Sequence, residues 1–418
     1  MTMPQAPLPV DRHPAGPGSP GPQPAVPQAV LLTLLLAAQP VATDLYLPAL
    51  PHIASGLGAA AGHVQATLTV FILAFGVAQL AAGPLVDHHG RRRVLLWGLA
   101  LYVLSAGAGA LAGSLPQLLA ARAVQGIATA ASVIAARAII RDRHAGPAGM
   151  RIMARSLTGQ SAIGVACPLA GGLAAQYLGW QATLGMVAGF GVLAWVAVYA
   201  GYRETWTRPT ATSRAGWRTF LSNPQFVACA LLAGLSFSGA LCFLILSPFV
   251  FIGEFGMSRL AYGALPALCS LAFLLGTVLC GRLLRHWSVP RVVRLGACLS
   301  LLGGAGQVLL WHGGVHTVWA LAVPQCVYML GHGFHNPCGQ AGAVAPFPAQ
   351  AGRAAALSGF VLTATGFVSG QLATASGASA SDTLVGAMGC ITALLAAVAL
   401  VFVPFAYRGG PVLRSAGN

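Results

Sequence analysis

Long apolar runs alternate with short polar connectors along most of the 418-residue chain. Each run holds about 20 residues, the length that an α-helix needs to cross the hydrocarbon core of a bilayer. The runs lie at residues 28–50, 66–86, 93–113, 116–140, 155–177, 181–202, 226–250, 262–284, 291–311, 317–338, 354–375 and 383–406. The pattern therefore predicts an all-α integral membrane protein with twelve transmembrane helices.

Composition supports this class and argues against others. Charged residues make up 7% of the chain and hydrophobic residues 56%, whereas soluble domains carry about 25% charged residues. The net charge of +15 does not indicate a nucleic-acid partner, because the 22 basic residues are all arginines and most lie in the connectors. The nine cysteines lie mostly inside apolar runs without metal-ligand spacing, so no metal site is predicted.

The arginines fall on alternate connectors. Connectors that follow even-numbered helices are basic, whereas the opposite connectors carry only Arg259. Because cytoplasmic connectors are enriched in arginine, both termini are predicted to be cytoplasmic. The basic connectors and the C-terminal tail hold Arg91, Arg92, Arg93, Arg141, Arg143, Arg151, Arg155, Arg203, Arg208, Arg214, Arg218, Arg282, Arg285, Arg291, Arg294, Arg353, Arg408 and Arg414.

A weak internal repeat predicts two halves. Residues 83–98 align without gaps on residues 281–296, and each stretch follows the second helix of its half. The predicted organisation is a disordered cytoplasmic tail at residues 1–27, a six-helix half at 28–202, a cytoplasmic linker at 203–225, a six-helix half at 226–406 and a cytoplasmic tail at 407–418.

The connector after the second helix carries a specific motif. It reads Gly83-Pro84-Leu85-Val86-Asp87-His88-His89-Gly90-Arg91-Arg92-Arg93. Gly83 permits a close approach of helices, and Gly90 permits a sharp reversal of the chain. The pattern G-x-L-x-D-x-x-G-R-R resembles the loop signature of the major facilitator superfamily of transporters. The resemblance implies an inner gate formed by Gly83, Asp87, Gly90, Arg91 and Arg92.

Asp44 is the one acid of seven that lies inside a predicted helix. It stands six residues before the end of the first run, roughly 9 Å below the outer edge. A carboxyl group at that depth is costly in its ionised form, which suits a group that carries a proton. The alternative interpretation is an interfacial acid that reaches towards water.

Arg122 is the predicted partner of Asp44. It lies about six residues into the fourth helix, at nearly the same predicted depth. We expect the two side chains to pair when Asp44 is ionised and to part when it is protonated or when cargo arrives. The sequence Arg122-Ala123-Val124-Gln125-Gly126 resembles the R-x-x-Q-G signature of proton-coupled superfamily members. The alternative interpretation is that Arg122 only binds a buried carbonyl group.

The fifth helix contains Pro168, Gly171 and Gly172, residues that bend a helix and allow close packing. The run Cys167-Pro168-Leu169-Ala170-Gly171-Gly172 resembles the G-P-x-x-G-G signature of drug antiporters, with Cys167 in place of the first glycine. The resemblance implies a hinge at Pro168, Gly171 and Gly172. A purely structural kink is the alternative interpretation.

Further segments narrow the resemblance to a subfamily. They lie at residues 43–51, 135–142, 247–249, 255–258, 336–337 and 351–359. Together they resemble the Bcr/CflA drug-resistance transporters. The resemblance implies proton-driven export of small amphipathic compounds, including antibiotics, from the bacterial cytoplasm across the inner membrane, with no cofactor.

Cargo contacts are predicted only as candidates. Tyr46, Gln125, Gln160, Phe237 and Phe243 are polar or aromatic residues at depths that suit a central cavity, with helix packing as the alternative. Near the inner end of the tenth helix, two imidazoles titrate near neutral pH and suit a proton relay; a hydrogen bond to a backbone carbonyl is the alternative. These imidazoles belong to His332 and His335.

The combined prediction is a monomeric carrier that exchanges protons for small amphipathic molecules by alternating access. A proton-coupled carrier of a metabolite, either an exporter or an importer, has the same fold and remains the alternative. An enzyme is disfavoured because no group of catalytic residues converges at membrane depth, and a channel because no repeated ring of polar residues is visible.

Overall fold

The computed structural model describes residues 28–143, 146–204, 217–347, 350–374 and 379–402. The predicted tails at 1–27 and 407–418 and most of the predicted linker lie outside these ranges. The described chain is almost entirely α-helical. Its helices are α1 (Gln28–Asp44), α2 (Leu50–Gly56), α3 (Ala61–His89), α4 (Arg91–Ala110), α5 (Leu115–Arg143), α6 (Gly146–Tyr177), α7 (Trp180–Gly201), α8 (Trp217–Leu221), α9 (Pro224–Pro248), α10 (Arg259–Leu283), α11 (Val289–His312), α12 (Val318–Val344), α13 (Ala351–Thr374) and α14 (Ala380–Ala397).

These helices form twelve crossings of the described bundle. Eleven described stretches are long and apolar enough to span a membrane, the first of them combining α1 and α2. The twelfth crossing is α12, whose 27 residues extend about 40 Å and pack against α9, α10 and α11. Its sequence is less apolar because residues such as His332 and Asn336 interrupt it. Helix α8 has five residues and precedes the second half without crossing.

The first crossing is interrupted at Asp44. Helix α1 ends at this residue, a 3₁₀ turn follows at Leu47–Ala49, and α2 completes the crossing to Gly56. Pro48 explains the interruption, because it has no N–H to bond the carbonyl of the residue four positions earlier, Asp44. The crossing is therefore longer than the predicted run, and Asp44 lies about 18 Å from its end rather than the predicted 9 Å.

Each half packs its helices in the same order. In the first half α1 contacts α5, α6 and α7, while α3 contacts α5 and α4 contacts α5 and α7. In the second half α9 contacts α12, α13 and α14, while α10 contacts α12 and α11 contacts α12 and α14. Every pair of the first half thus has its counterpart in the second. The fold class is confirmed as two pseudo-symmetric six-helix halves.

The bundle has two chemically different ends. We call the end with the α3–α4 and α10–α11 connections the basic end, because it carries Arg91, Arg92, Arg285 and Arg291. The far end is the opposite one, where α6 ends and α10 begins at Arg259. The two halves meet along two equivalent seams, one between α3 and α13 and the other between α6 and α10.

The outer surface of the bundle is apolar. Large side chains such as Leu104 and Leu309 are exposed to 70% and 73% although they lie in the middle or last turns of long helices. Exposed apolar surface of this extent is stable only against lipid. The chain is therefore a multi-pass membrane protein.

Candidate functional site

Asp44 lies where the two halves meet. Its side chain is half-buried, and Thr43 Oγ1 donates a hydrogen bond to Asp44 Oδ1 at 2.7 Å. The carboxylate faces α6, since a Cβ atom on Gly164 would lie 3.9 Å from Asp44 Oδ2. The 3₁₀ turn that follows it, Leu47–Ala49, contacts both α6 and α10, and α10 belongs to the other half. An ionisable group thus lies beside a seam, close to the middle of a crossing.

Arg122 is buried in the first half, with 1% of its surface exposed. Its Nη2 donates to the Ala42 carbonyl at 3.0 Å, and its Nη1 donates to Oε1 of Gln125. The guanidinium carbon lies 4.5 Å from the ring centre of Tyr46 and 4.6 Å from that of Phe71. A planar cation between two aromatic faces is stabilised by their quadrupoles, which replace part of its lost hydration.

The structure does not bring Asp44 and Arg122 together. Ala42 and Tyr46 are four residues apart and lie on one face of the first crossing, towards α5. Asp44 is two residues from Ala42, so its side chain points about 200° around the helix axis from that of Ala42, towards α6. In this arrangement Arg122 binds a buried carbonyl, as its alternative interpretation described, and the predicted ion pair is not formed.

Two glycines of α6, Gly171 and Gly172, lie in close backbone contacts at the far end. A Cβ atom on Gly171 would overlap the Leu45 carbonyl of the first crossing. A Cβ atom on Gly172 would lie 2.7 Å from the carbonyl oxygen of Arg259, and one on Gly263 would lie 2.6 Å from that of Pro168. Helices α6 and α10 therefore touch backbone to backbone, which only residues without a side chain allow.

The seams open towards the basic end. On α3, Gly76 packs tightly against Thr363 of α13, whereas no described atom lies within 4 Å of a Cβ atom on Gly83. These two glycines are seven residues apart and share one face of α3. On α10, Gly263 and Gly281 share a face because eighteen residues make five turns, and Gly281 is equally open among the described atoms. The seams are tightly packed at Gly76 and Gly263 and leave space beside Gly83 and Gly281, nearer the basic end.

Gly90 makes the reversal between α3 and α4, as predicted from its sequence position. Its φ of +85° is a conformation that residues with a side chain rarely adopt. The next residue, Arg91, is buried, and its Nε donates to Asp142 Oδ2 at 2.8 Å in a charge-assisted contact. Its Nη1 donates to the Val86 carbonyl at 3.1 Å. Arg91 thereby joins the α3–α4 connection to the end of α5.

Glu204 is a functional candidate that the sequence did not single out. Its carboxylate accepts hydrogen bonds from the backbone N–H groups of Arg91, at 3.2 Å, and Arg92, at 2.9 Å. It thereby caps the positive N-terminal end of α4. Arg92 completes the connection to α7 by donating to the carbonyls of Tyr202 and Tyr199, each at 3.0 Å. The side chain of Asp87 lies outside the described part of the chain.

The five cargo candidates lie in different surroundings. Tyr46, Gln125 and Phe243 are buried within their own halves in this arrangement. Gln160 on α6 and Phe237 on α9 are half-buried. Contact with cargo therefore needs no rearrangement at Gln160 and Phe237, whereas the other three must first be uncovered.

The two histidines of α12 have separate partners. His335 Nε2 lies 3.3 Å from the Val293 carbonyl, the contact that the alternative interpretation described. His332 instead faces α9, where its Nδ1 lies 2.7 Å from Ser236 Oγ. Only His332 is thus directed at another side chain with which it can exchange a proton.

Two equivalent six-helix halves that meet along two seams, with a half-buried acid beside one of them, are the arrangement of a membrane carrier. The chain belongs to the Major Facilitator Superfamily, whose family model matches residues 32–370.

Relatives and solved structures agree with this membership. The chain is 30% identical over 398 residues to "Multidrug resistance protein D" of Escherichia coli strain K12, an alignment that covers 91% of this chain and 95% of that protein. It is 31% identical to the "Chloramphenicol resistance protein" of Pseudomonas aeruginosa over 66% of this chain and 65% of that one. The crystal structure of a D-xylose-proton symporter superposes with a TM-score of 0.73 at 15% identity, covering 92% of this chain and 99% of that one.

Proposed function

We propose that the protein exports small amphipathic compounds, including antibiotics, in exchange for protons. The observation that carries the proposal is the position of Asp44, which faces α6 and is followed by a turn that contacts both α6 and α10 at their seam. The surroundings of a proton-carrying group at this place change whenever the packing of the halves changes. The relatives named for multidrug and chloramphenicol resistance support drugs as the cargo.

The basic end faces the cytoplasm, because arginine-rich connections are retained there. Both termini are then cytoplasmic, and the far end faces the periplasm of a bacterial inner membrane. We interpret this arrangement as the carrier open to the cytoplasm, with the contacts of Gly172 and Gly263 holding the far end shut. A single chain encloses the pathway, so a monomer suffices, and the proton gradient drives transport without a cofactor.

The exchange follows from the cost of an unpaired charge inside the membrane. Cargo enters from the cytoplasm, and its arrival favours release of the proton from Asp44. Arg122 stabilises the ionised carboxylate: its Nε–H has no hydrogen-bond partner in the described chain and is available when the first crossing rotates. Opening of the far end then lets cargo leave and lets a periplasmic proton return to Asp44.

Two connections control the change between states. Near the cytoplasm, Arg91 and Arg92 fasten the α3–α4 connection to α5 and α7, so the first half moves as one body. At the far end, Pro168, Gly171 and Gly172 allow α6 to slide against its neighbours, because no side chain blocks the contact.

The test is proton release from purified protein in detergent on addition of drugs, using phenicols, bicyclomycin and lipophilic cations. We expect wild type to release protons with some compounds and Asp44→Asn to release none while still folding and binding cargo. Asp382→Asn is the matched control, because it removes an acid of α14 at the far end, away from the seam.

Two results would count against the proposal. If wild type releases no protons with any compound, a metabolite carrier becomes the better interpretation. If Asp44→Asn releases as many protons as wild type, the coupling group lies elsewhere.

A further inference from the structure

A row of polar side chains follows one face of α12 from its basic end into the bundle. Gln340, Asn336 and His332 are spaced four residues apart, so they lie above one another and span about 12 Å. Gln340 Nε2 donates to Asn336 Oδ1 at 2.5 Å, and Asn336 Nδ2 lies 3.5 Å from His332 Nε2. His332 Nδ1 closes the row on Ser236 of α9 at 2.7 Å. We call these four residues the amide ladder.

The amide ladder is accessible from the open end of the seam. Asn336 and Gln340 are half-buried, and Ala341 in the next turn is exposed. On the neighbouring helix α10, no described atom lies within 4 Å of a Cβ atom placed on Gly281, which is near this end. A molecule that enters between the halves from the basic end therefore reaches Gln340 first and Asn336 one turn deeper.

The hydrogen-bonding capacity of the amide ladder is only partly used. Each amide group has two N–H bonds, and the contacts within the ladder use one of each. Gln340 Oε1 has no hydrogen-bond partner in the described chain, and its side chain is half-buried. The ladder thus has two unused N–H donors, one each on Asn336 and Gln340, and one unused acceptor, Gln340 Oε1, all on uncharged groups.

Aromatic side chains flank the deep end of the ladder. The ring centre of Phe273 on α10 lies 5.0 Å from that of His332, and the ring centre of Phe237 on α9 lies 6.5 Å from it. Both phenylalanines are half-buried. Apolar walls around a few uncharged polar groups are the usual composition of a pocket for drug-sized molecules.

The hydrogen bonds of the ladder within the described chain all join uncharged groups. The elements packed around His332 direct Ser236 and the two phenylalanines towards it, and the nearby His335 turns its ring to the Val293 carbonyl. In the described chain no acid or arginine contacts a member of the ladder. A cationic group would gain nothing here, whereas an amide or hydroxyl group would both donate and accept.

We propose that the amide ladder binds the uncharged amide or hydroxyl group of an amphipathic cargo, with Phe237 and Phe273 against its apolar part. The inference rests on the proposed export function and assigns the neutral cargo to the second half, whereas Asp44 in the first half carries the proton. Cargo and proton would then occupy separate places and compete through the state of the seams rather than for one group.

The test measures equilibrium binding of radiolabelled chloramphenicol and tetraphenylphosphonium to the full-length protein in detergent. Removing the hydrogen bonds with Asn336→Leu or Gln340→Leu should weaken chloramphenicol binding roughly tenfold and leave tetraphenylphosphonium binding unchanged. Gln176→Leu is the matched control, because Gln176 is an exposed amide of α6 near the far end. It should bind both compounds as wild type does.

Asn336→Asp keeps the shape of the side chain and serves as a second variant if leucine disturbs folding. It should weaken chloramphenicol binding and strengthen tetraphenylphosphonium binding, because it places a negative charge in the pocket.

The inference is overturned if wild type binds chloramphenicol and both leucine variants bind it equally well. It is also overturned if the leucine variants bind normally and lose only proton release, which would make the ladder a proton path. Failure of the proposed function looks different: wild type then neither binds any compound nor releases protons.

Discussion

The closed far end depends on glycines at the α6–α10 seam, and Gly172→Val tests this dependence directly. A Cβ atom on Gly172 would lie 2.7 Å from the carbonyl oxygen of Arg259, which is roughly 0.7 Å closer than an ordinary carbon–oxygen contact. The atom that it meets belongs to the backbone of the first turn of α10, so no side chain can rotate away. Relief requires the two helices to move apart.

The expected size of the effect follows from the cost of overpacking. Forcing extra methyl groups into a closed contact costs about 1–3 kcal/mol. If the cost falls on the closed far end alone, the ratio of open to closed far ends rises by roughly 5- to 150-fold. The variant should fold, because both halves keep their internal packing, but it should favour the state open at the far end.

Pulsed electron–electron double resonance between spin labels placed at positions 111 and 315, which hold Leu111 and Val315, measures this shift. Both residues are exposed at the far end, one in each half, so their separation reports the opening. The matched control is Gly185→Val on α7, where no described atom lies within 4 Å of the added Cβ. We expect a longer distance population only in Gly172→Val. Identical distance distributions in the two variants would refute the assignment of Gly172 to far-end closure.

Three further substitutions have expected outcomes that follow from single contacts. Asp44→Asn should retain drug binding and lose drug-driven proton release, measured with a pH-sensitive dye in weakly buffered detergent solution. Arg122→Lys should lower thermal stability and drug export, because lysine cannot keep the bond to the Ala42 carbonyl while lying flat between two rings; an unchanged melting temperature would contradict this. Arg91→Leu should lower the free energy of unfolding by about 2 kcal/mol because it removes the ion pair with Asp142 and the hydrogen bond to the Val86 carbonyl, and adding Asp142→Asn should recover part of the loss.

Much of the fold was predictable because membrane crossings obey a strong length rule. Twelve apolar runs and the alternation of arginines led to the twelve crossings that the structure contains. The first crossing was predicted too short, because the predicted run ends at Leu50 whereas the crossing continues through α2 to Gly56. A broken crossing is stable because the surrounding helices bury the irregular backbone, and one sequence does not display that burial.

The site was predictable residue by residue but not contact by contact. Depth in the membrane was enough to select Asp44 and Arg122 as unusual. Which way each side chain turns depends on the 100° step between neighbouring residues and on which helix lies opposite, so their separation appeared only in three dimensions. Glu204 was missed for the same reason, because it stands more than 100 residues from the helix end that it caps.

The open surroundings of Gly83 and Gly281 have a consequence for how long the carrier stays in each of its two states. At the far end α6 and α10 close their seam through small residues, and at the basic end Gly83 on α3 and the equivalent Gly281 on α10 offer a second set of possible close contacts. Only one of these two sets of close helix contacts is formed in a given state of the carrier. A bulky residue at Gly83 should therefore bias the molecule in the direction opposite to one at Gly172, and the balance between the two sets fixes how long the carrier waits on each side of the membrane.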